Sequence, residues 1–311
     1  MKVLGIGNAI TDVICKVSDQ FLKINSLIKG TMKLVDENEF KNLMSSIKIE
    51  ETISGGSVAN SIVGLSQLGN NVGFIGKIND DTLGQKYEEG LVKENVKYLY
   101  NKKKEILPTG TCLVLITPDS ERTMCTFLGV AGKINENDID PQVIRESKLI
   151  FLEGYLWDKG GPKRAFEKAI SNSQKVAMSL SDTFCVERHK KDFMDLIKNK
   201  LDIVFANEQE IISLTDTKNL NEVLSFLKSI NTVSVITRGD KGAVVICNEK
   251  IYEIDAKKNL NIIDLTGAGD LFASGFLNGY INNFSLEECL KKGVIMSSKI
   301  VQVLGARLKK L

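Results

Sequence analysis

What most limits the fold of this 311-residue chain is an alternation of two kinds of apolar pattern. Short, nearly continuous apolar runs at residues 3–7, 72–76, 149–152, 175–180, 203–206 and 233–237 read as strands. Runs of that length without polar alternation suit strands covered on both faces of a parallel sheet. Between them lie helix-like stretches, at 57–68, 82–94, 162–173, 187–199 and 220–229. This order predicts an α/β fold, a doubly wound and mostly parallel sheet with helices on both faces. The chain has four prolines and shows no repeat, low-complexity tract or Pro/Ser-rich linker, so residues 1–311 read as a single domain.

Two regions break the rhythm. Residues 9–36 hold an alternating run at 10–17 and then the stretch Gly30-Thr31-Met32-Lys33-Leu34-Val35. Residues 97–128 hold two strand-like runs, at 109–117 and 122–127, around the turn Pro118-Asp119-Ser120-Glu121, which predicts a β-hairpin. These insertions predict a small accessory sheet that acts as a lid, closing over a substrate and excluding water. The same sheet can instead pair with its counterpart, so monomer and homodimer both stay open.

Composition removes several function classes. Net charge is +2, which provides no basic surface for nucleic acid or an anionic membrane. No apolar run approaches the ~20 residues of a spanning helix, and the N-terminal apolar stretch is too short for a secretory signal. The six cysteines are scattered with no Cys-x-x-Cys pair, as expected of reduced thiols in the cytoplasm. The single histidine, His189, lies in the charged run 187–191 and reads as part of a solvated helix face. Histidine triads and multi-histidine metal sites are thereby excluded.

Open α/β sheets bind ligands beyond the carboxyl ends of their strands, so the polar residues that follow each predicted strand matter most. Asn8 and Asp12 follow the first strand. Asn207-Glu208-Gln209-Glu210 follows residues 203–206, and Arg238 to Gly242 follows 233–237. The densest cluster is Asp264-Leu265-Thr266-Gly267-Ala268-Gly269-Asp270, just before a helix-like run. Small residues at a helix N-terminus make an anion site. A carboxylate at its lip would repel a resting phosphate, but it suits a base that removes a proton from an attacking hydroxyl. The plain alternative is a tight turn with acids near the helix dipole. Ser54-Gly55-Gly56-Ser57-Val58-Ala59-Asn60 pairs glycines with an asparagine one turn into a helix, as a polyhydroxyl ligand or an ordinary capped loop would require. The acids of 207–210 can serve magnesium through water or simply start a helix. Gly5-Ile6-Gly7-Asn8-Ala9-Ile10 has two glycines of a dinucleotide fingerprint, but the third position is Ile10 and a β-like run follows.

Taken together, these segments resemble the ribokinase-like carbohydrate kinases, also called the PfkB family. Residues 264–270 resemble its D-x-T-G-A-G-D signature, 55–60 its G-G-x-x-x-N signature, 207–210 its N-x-x-E motif and 237–242 its T-x-G-x-x-G segment. The order and spacing match over nearly the whole chain. The resemblance implies a ribokinase-like fold and ATP-dependent phosphoryl transfer to a primary hydroxyl of a small molecule. It implies Asp270 as the base, with the amides of Gly267, Ala268 and Gly269 holding the transferring phosphoryl group. It also implies Glu210, with Asn207 beside it, positioning Mg²⁺ through water. Thr237, Gly239, Gly242 and Thr266 would line the ATP site, and the C-terminal helix near Ser297 and Ser298 would flank the adenine. Asn8, Asp12, Gly55, Gly56 and Asn60 would bind the acceptor. Many members also use a K⁺ ion, here near the backbone of Asp264. The Asn8-x-x-x-Asp12 spacing and the segment Ser120-Glu121-Arg122-Thr123-Met124 look like the adenosine kinase branch. Arg122 either reaches the phosphates or is a hairpin surface residue. Phe127, Leu152, Tyr155 and Trp157 are candidates for an apolar clamp on a nucleobase. The acceptor is thus a nucleoside, or alternatively a free pentose or hexose.

Overall fold

The structure, a computed structural model, describes residues 1–119 and 121–309. Ser120, in the predicted hairpin turn, lies outside the described residues. In chain order the strands are β1 (Val3–Ile6), β2 (Ile10–Lys16), β3 (Met32–Leu34), β4 (Ile49–Ser54), β5 (Val72–Ile75), β6 (Lys97–Tyr98), β7 (Gly110–Ile116), β8 (Arg122–Phe127), β9 (Leu149–Glu153), β10 (Val176–Ser179), β11 (Ile203–Asn207), β12 (Val233–Thr237), β13 (Ala243–Cys247) and β14 (Lys250–Ile254).

The larger sheet has nine strands in the order β14-β13-β12-β11-β10-β9-β1-β5-β6. All pairings from β6 through β12 are parallel, and β13 and β14 return antiparallel at one edge. Its strands alternate between two apolar layers, as the pleat requires. Leu4, Ile150, Met178 and Val204 face a layer containing Phe166 and Phe193. Val3, Phe151, Phe205 and Val235 face Ile62, Phe272 and Phe276, which come from the helices Ser57–Gln67 and Ala268–Ile281. From β1 the chain builds outward through β5 and β6 on one side and through β9 to β12 on the other. The order therefore reverses between β1 and β9, where doubly wound sheets leave a crevice for ligand.

The second sheet has five strands in the order β3-β8-β7-β2-β4. Both predicted insertions contribute to it, but it also takes β4, which lies outside 9–36 and 97–128, and β6 joins the main sheet instead. β4 escaped notice because its residues 49–52 are polar or exposed and show no apolar alternation. One face of this sheet is covered. Val13, Leu113, Leu115, Cys125 and Phe127 pack on Leu22, Phe40 and Leu43 of the helices Asp19–Ile24 and Glu37–Ser45.

The predicted helices appear close to the expected limits, apart from one that begins at Thr183 rather than residue 187. Asp182 accepts a hydrogen bond from the Cys185 amide there, a cap hidden in the polar run 181–183. In this helix the placement of His189 is corrected: it is 8% exposed, sits at a kink and packs on the Phe193 ring. The inward stripe is Cys185, Val186, His189, Phe193 and Leu196, so the neighbouring charges point outward while the imidazole points in. Among the described residues no helix is long and apolar enough to cross a membrane.

Candidate active site

At the carboxyl ends of β1 and β9 lie Asn8 and Glu153. The Asn8 amide donates to Glu153 Oε1 at 2.9 Å, and the Val58 amide donates to Glu153 Oε2 at 3.1 Å. Gly56 has no side chain to cap the helix that starts at Ser57, so the Glu153 carboxylate takes a first-turn N–H instead. Glu153 is 1% exposed, and burial raises its pKa to about 7 against these two hydrogen bonds. Sequence inspection missed this residue. The available signal was a glutamate closing an otherwise apolar strand, Leu149–Glu153.

The glycine pair 55–56 serves close approach. A Cβ on Gly55 would lie 2.5 Å from an Asp12 carboxylate oxygen, and Gly56 has a φ of +98° with the Asn8 carbonyl where its Cβ would be. The Asp12 carboxylate accepts no hydrogen bond from any described residue and stands half-buried beside Gly55. Burial pushes its pKa up to about 7, opposed by the charges of Arg307 and Arg122.

The helix Ser57–Gln67 packs against the helix Ala268–Ile281, with Gly64 close to Ser274 and Leu271. Ser57 and Asn60, three residues apart on one face, thereby meet Asp270. Ser57 Oγ donates to Asp270 Oδ1 at 2.6 Å and Asn60 Nδ2 donates to Oδ2 at 3.0 Å. Burial raises the Asp270 pKa, while these two hydrogen bonds and the Arg307 charge favour its ionised form. A carboxylate held this way keeps lone pairs free to take a proton from a hydroxyl that approaches it.

The helix that carries Asp270 begins from Gly267, which has a φ of +78° and no side-chain cap. Among the described residues the amides of Gly267, Gly269 and Asp270 have no acceptor, whereas Ala268 N donates to the Leu265 carbonyl at 3.2 Å. A helix start of this kind is suited to an anion, with Gly267, Gly269 and Asp270 rather than Ala268 supplying the open N–H groups. The preceding Asp264 is a hub. Its Oδ1 accepts from Thr266 N and Oγ1 at 3.0 and 2.7 Å, and its Oδ2 accepts from Gly305 N at 2.7 Å. Arg122, at the start of β8, reaches the same oxygen at 2.8 Å. Burial would raise Asp264, but these hydrogen bonds and the Arg122 charge leave it below the ordinary carboxylate range.

A cleft of about 370 Å³ runs from this turn across β11 and β12, lined by Asn207, Glu210, Thr237, Tyr155, Gly267–Gly269 and Asp270. Asn207 and Glu210 form a capping box, with both Glu210 oxygens accepting from Asn207. Burial raises Glu210 to about 7. Gly239 and Gly242 build the turn after β12 but do not line the cleft. Thr266 is engaged with Asp264, and Ser298 is buried with its hydroxyl donating to the Ile295 carbonyl. Neither lines the cleft.

Of the four clamp candidates, only Tyr155 lines the cleft. Leu152 is in the main core, and Phe127 stacks on Phe40 on the covered face of the accessory sheet. Trp157 packs on Phe166 and Phe193, donates to Asp192 and lines a separate cavity of about 250 Å³. The apolar surface beside Asp12 is instead aliphatic. Strand register places Asp12 beside Cys112 and Ile14 beside Val114, which in turn opposes Met124. These side chains share the other face of the accessory sheet, where Cys112 and Val114 are buried with Ile10 and Ala131 while Ile14 and Met124 remain partly exposed.

The pfkB family of carbohydrate kinases matches residues 25–310. Adenosine kinase 2 of Arabidopsis thaliana is 26% identical over 334 aligned positions, spanning 97% of this chain and 94% of that protein. The solved adenosine kinase of Sinorhizobium meliloti superposes with a TM-score of 0.90 at 34% identity, covering 99% of this chain and 96% of that one. A probable sugar kinase protein from Rhizobium etli CFN 42 superposes with a TM-score of 0.89 at 35% identity, covering 99% and 95%. The fold is ribokinase-like, as its resemblance to these structures shows. The chain belongs to the pfkB family of carbohydrate kinases and is an ATP-dependent phosphotransferase that acts on an alcohol group of a nucleoside or sugar.

Proposed function

We propose that this kinase transfers the γ-phosphoryl group of ATP to the 5′-hydroxyl of a nucleoside, of the adenosine type. The observation that carries this reading is the pairing of Asp12 with an apolar face on which Cys112 and Val114 are buried while Ile14 and Met124 stay partly exposed. A carboxylate with free lone pairs suits a pair of ribose hydroxyls. A flat apolar wall next to it suits a nucleobase, whereas a free sugar would leave that wall facing polar groups.

In this scheme the ribose lies between Asp12 and Asn60, with its 5′-hydroxyl toward Asp270. Asp270 accepts the hydroxyl proton as the oxygen attacks the γ-phosphorus and ADP leaves. The open amides of Gly267, Gly269 and Asp270 face the charge that develops on the phosphoryl oxygens. ATP lies along the cleft beside Thr237 and Asn207. A magnesium ion held mainly by phosphates and water needs only one or two protein carboxylates, and Glu210 on the cleft wall fits that need through water. When bound, magnesium supplies neutralisation of phosphate charge. For potassium, the Asp264 carboxylate is already engaged by Thr266, Gly305 and Arg122, so the backbone carbonyls of that turn are the donors left to hold it. The accessory sheet acts as the lid, with Arg122 joining it to the anion-binding turn.

An ADP-release assay over adenosine, inosine, ribose and fructose tests the acceptor. Turnover with a nucleoside and little with free sugars is expected. Strong turnover with ribose or fructose and none with nucleosides would make this a sugar kinase.

A further inference from the structure

We infer that Arg307 is a positioning residue for the Asp270 carboxylate, acting through the Asn60 amide and delivered by a C-terminal segment bound to the anion-binding turn. This rests on Asp270 being the base. The segment is tied down on both sides of Arg307. Ile263 N donates to the Val301 carbonyl at 2.8 Å, and Gly305 N donates to Asp264 at 2.7 Å. A Cβ on Gly267 would lie 2.8 Å from Ala306 Cα, so the segment packs directly on the turn. Beyond Arg307, Leu308 is buried with Leu271, Met296 and Ile300, and its carbonyl accepts from Gln67 Nε2 at 2.8 Å.

From this anchored segment Arg307 Nε donates to Asn60 Oδ1 at 3.0 Å. Asparagine presents a carbonyl at one end of its amide and two N–H donors at the other, while guanidinium only donates. Arg307 therefore holds the Asn60 carbonyl toward itself and its NH₂ toward Asp270 Oδ2, 3.0 Å away. A flipped amide would set two oxygens against each other there. The charge acts in the same sense. Asp270 in turn raises the neighbouring Asp12 and Glu153, Arg122 acts on Asp12, and Arg307 is faced by Tyr87, Asp12 and Glu94 besides Asp270. Burial favours the protonated form of the base, and the guanidinium opposes it. Arg307 Nη2 is buried with no partner among the described residues. The side chain is thus not fully used by the fold.

The test compares Arg307→Met and Arg307→Lys with the wild type and Asp270→Asn, measuring kcat and kcat/KM against pH with the best acceptor of the substrate screen. Arg307→Met is expected to lower kcat by about 10- to 100-fold through misplacement of the base. It should also move the acid limb of kcat/KM upward by about one pH unit as the opposing charge is lost. KM for ATP should stay within about twofold. Arg307→Lys keeps the charge and should hold the limb near its wild-type position. An unchanged limb with only a raised acceptor KM would overturn the inference and make Arg307 a simple acceptor contact. A fall in thermal midpoint and ATP affinity in both variants, with no limb shift, would overturn it in favour of fold support. Full turnover in Asp270→Asn would instead remove the assignment of the base, an outcome distinct from either.

Discussion

The two sheets of this protein are finished differently. The nine-stranded sheet is sealed on both faces, and its candidate site residues lie where strands end and helices begin. The five-stranded sheet is sealed on one face, by Leu22, Phe40 and Leu43, and on the other is only half-closed, with Ile14 and Met124 partly exposed near Asp12. A doubly covered parallel sheet is a rigid frame and suits groups that must be held to within tenths of an ångström. A half-covered sheet has an apolar surface still to satisfy, which suits recognition. Under the proposed function, chemistry and choice of acceptor fall to different sheets, joined through Arg122 and Asp264.

The strongest way to break this division is at the edge of the main sheet. Asp270→Asn should lower kcat by ~10²–10⁴-fold with ATP binding nearly unchanged, as for loss of a positioned base. Steady-state kinetics and nucleotide titration check it, and unchanged turnover would refute the role of Asp270. Next comes a pair of substitutions on adjacent residues of β7 that face opposite ways. Leu113→Ala, on the covered face, should cost about 2–5 kcal/mol of stability in denaturant unfolding and leave acceptor preference unaltered. Val114→Asp, on the open face, should raise the nucleoside KM by about 10-fold or more, because it sets an unpaired charge against an apolar group. If both variants changed stability alone, the open face would not be a recognition surface. A smaller effect is expected at the junction. Arg122→Met removes the contact with Asp264, and loss of one charge-assisted hydrogen bond corresponds to about 1.5–3 kcal/mol before relaxation. It should raise acceptor and ATP KM values together if the accessory sheet closes over both, as a two-substrate kinetic matrix would show.

The smallest effect concerns pH. Glu153 titrates near 7 in the folded chain against an ordinary 4.5, so the folded form binds this proton more tightly than the unfolded form. Its contribution favours folding at low pH and declines as pH rises from the ordinary carboxylate range through about 7. The thermal midpoint of the wild type should therefore fall between about pH 5 and pH 8, and Glu153→Gln should flatten part of that fall. Asp12 and Glu210, also raised to about 7, account for a remaining slope. An identical slope in the variant would show that Glu153 does not stay protonated near neutrality.

Much of this architecture is legible from residue order. Apolar runs buried on both faces carry no polar alternation, so β1, β5, β9, β10, β11 and β12 could be located to within a residue or two. Likewise Gly267 to Asp270 announces itself, because a left-handed residue followed by open amides needs small side chains. β4 did not, since an exposed strand bearing Ile49-Glu50-Glu51-Thr52 has the composition of a loop. His189 was misplaced because its neighbours in sequence are charged while its neighbours along the helix stripe are apolar.

Sequence by itself determined the main parallel sheet, through its strand-length apolar runs, and marked Asp12, Asn60, Asp264 and Asp270 as candidates, through their places after predicted strands and their resemblance to family motifs. Tertiary structure decided what meets what. Glu153 reaches Asn8 across 145 residues of chain, and Arg307 reaches Asn60 across 247. The pleat sets Phe127 and Met124 on opposite faces, and the docking of the helices Asp19–Ile24 and Glu37–Ser45 decided that the Phe127 face is the covered one. Trp157 was carried away from the cleft for a related reason, its ring filling a gap between Phe166 and Phe193. Such placements depend on how distant elements pack together, which local pattern does not encode.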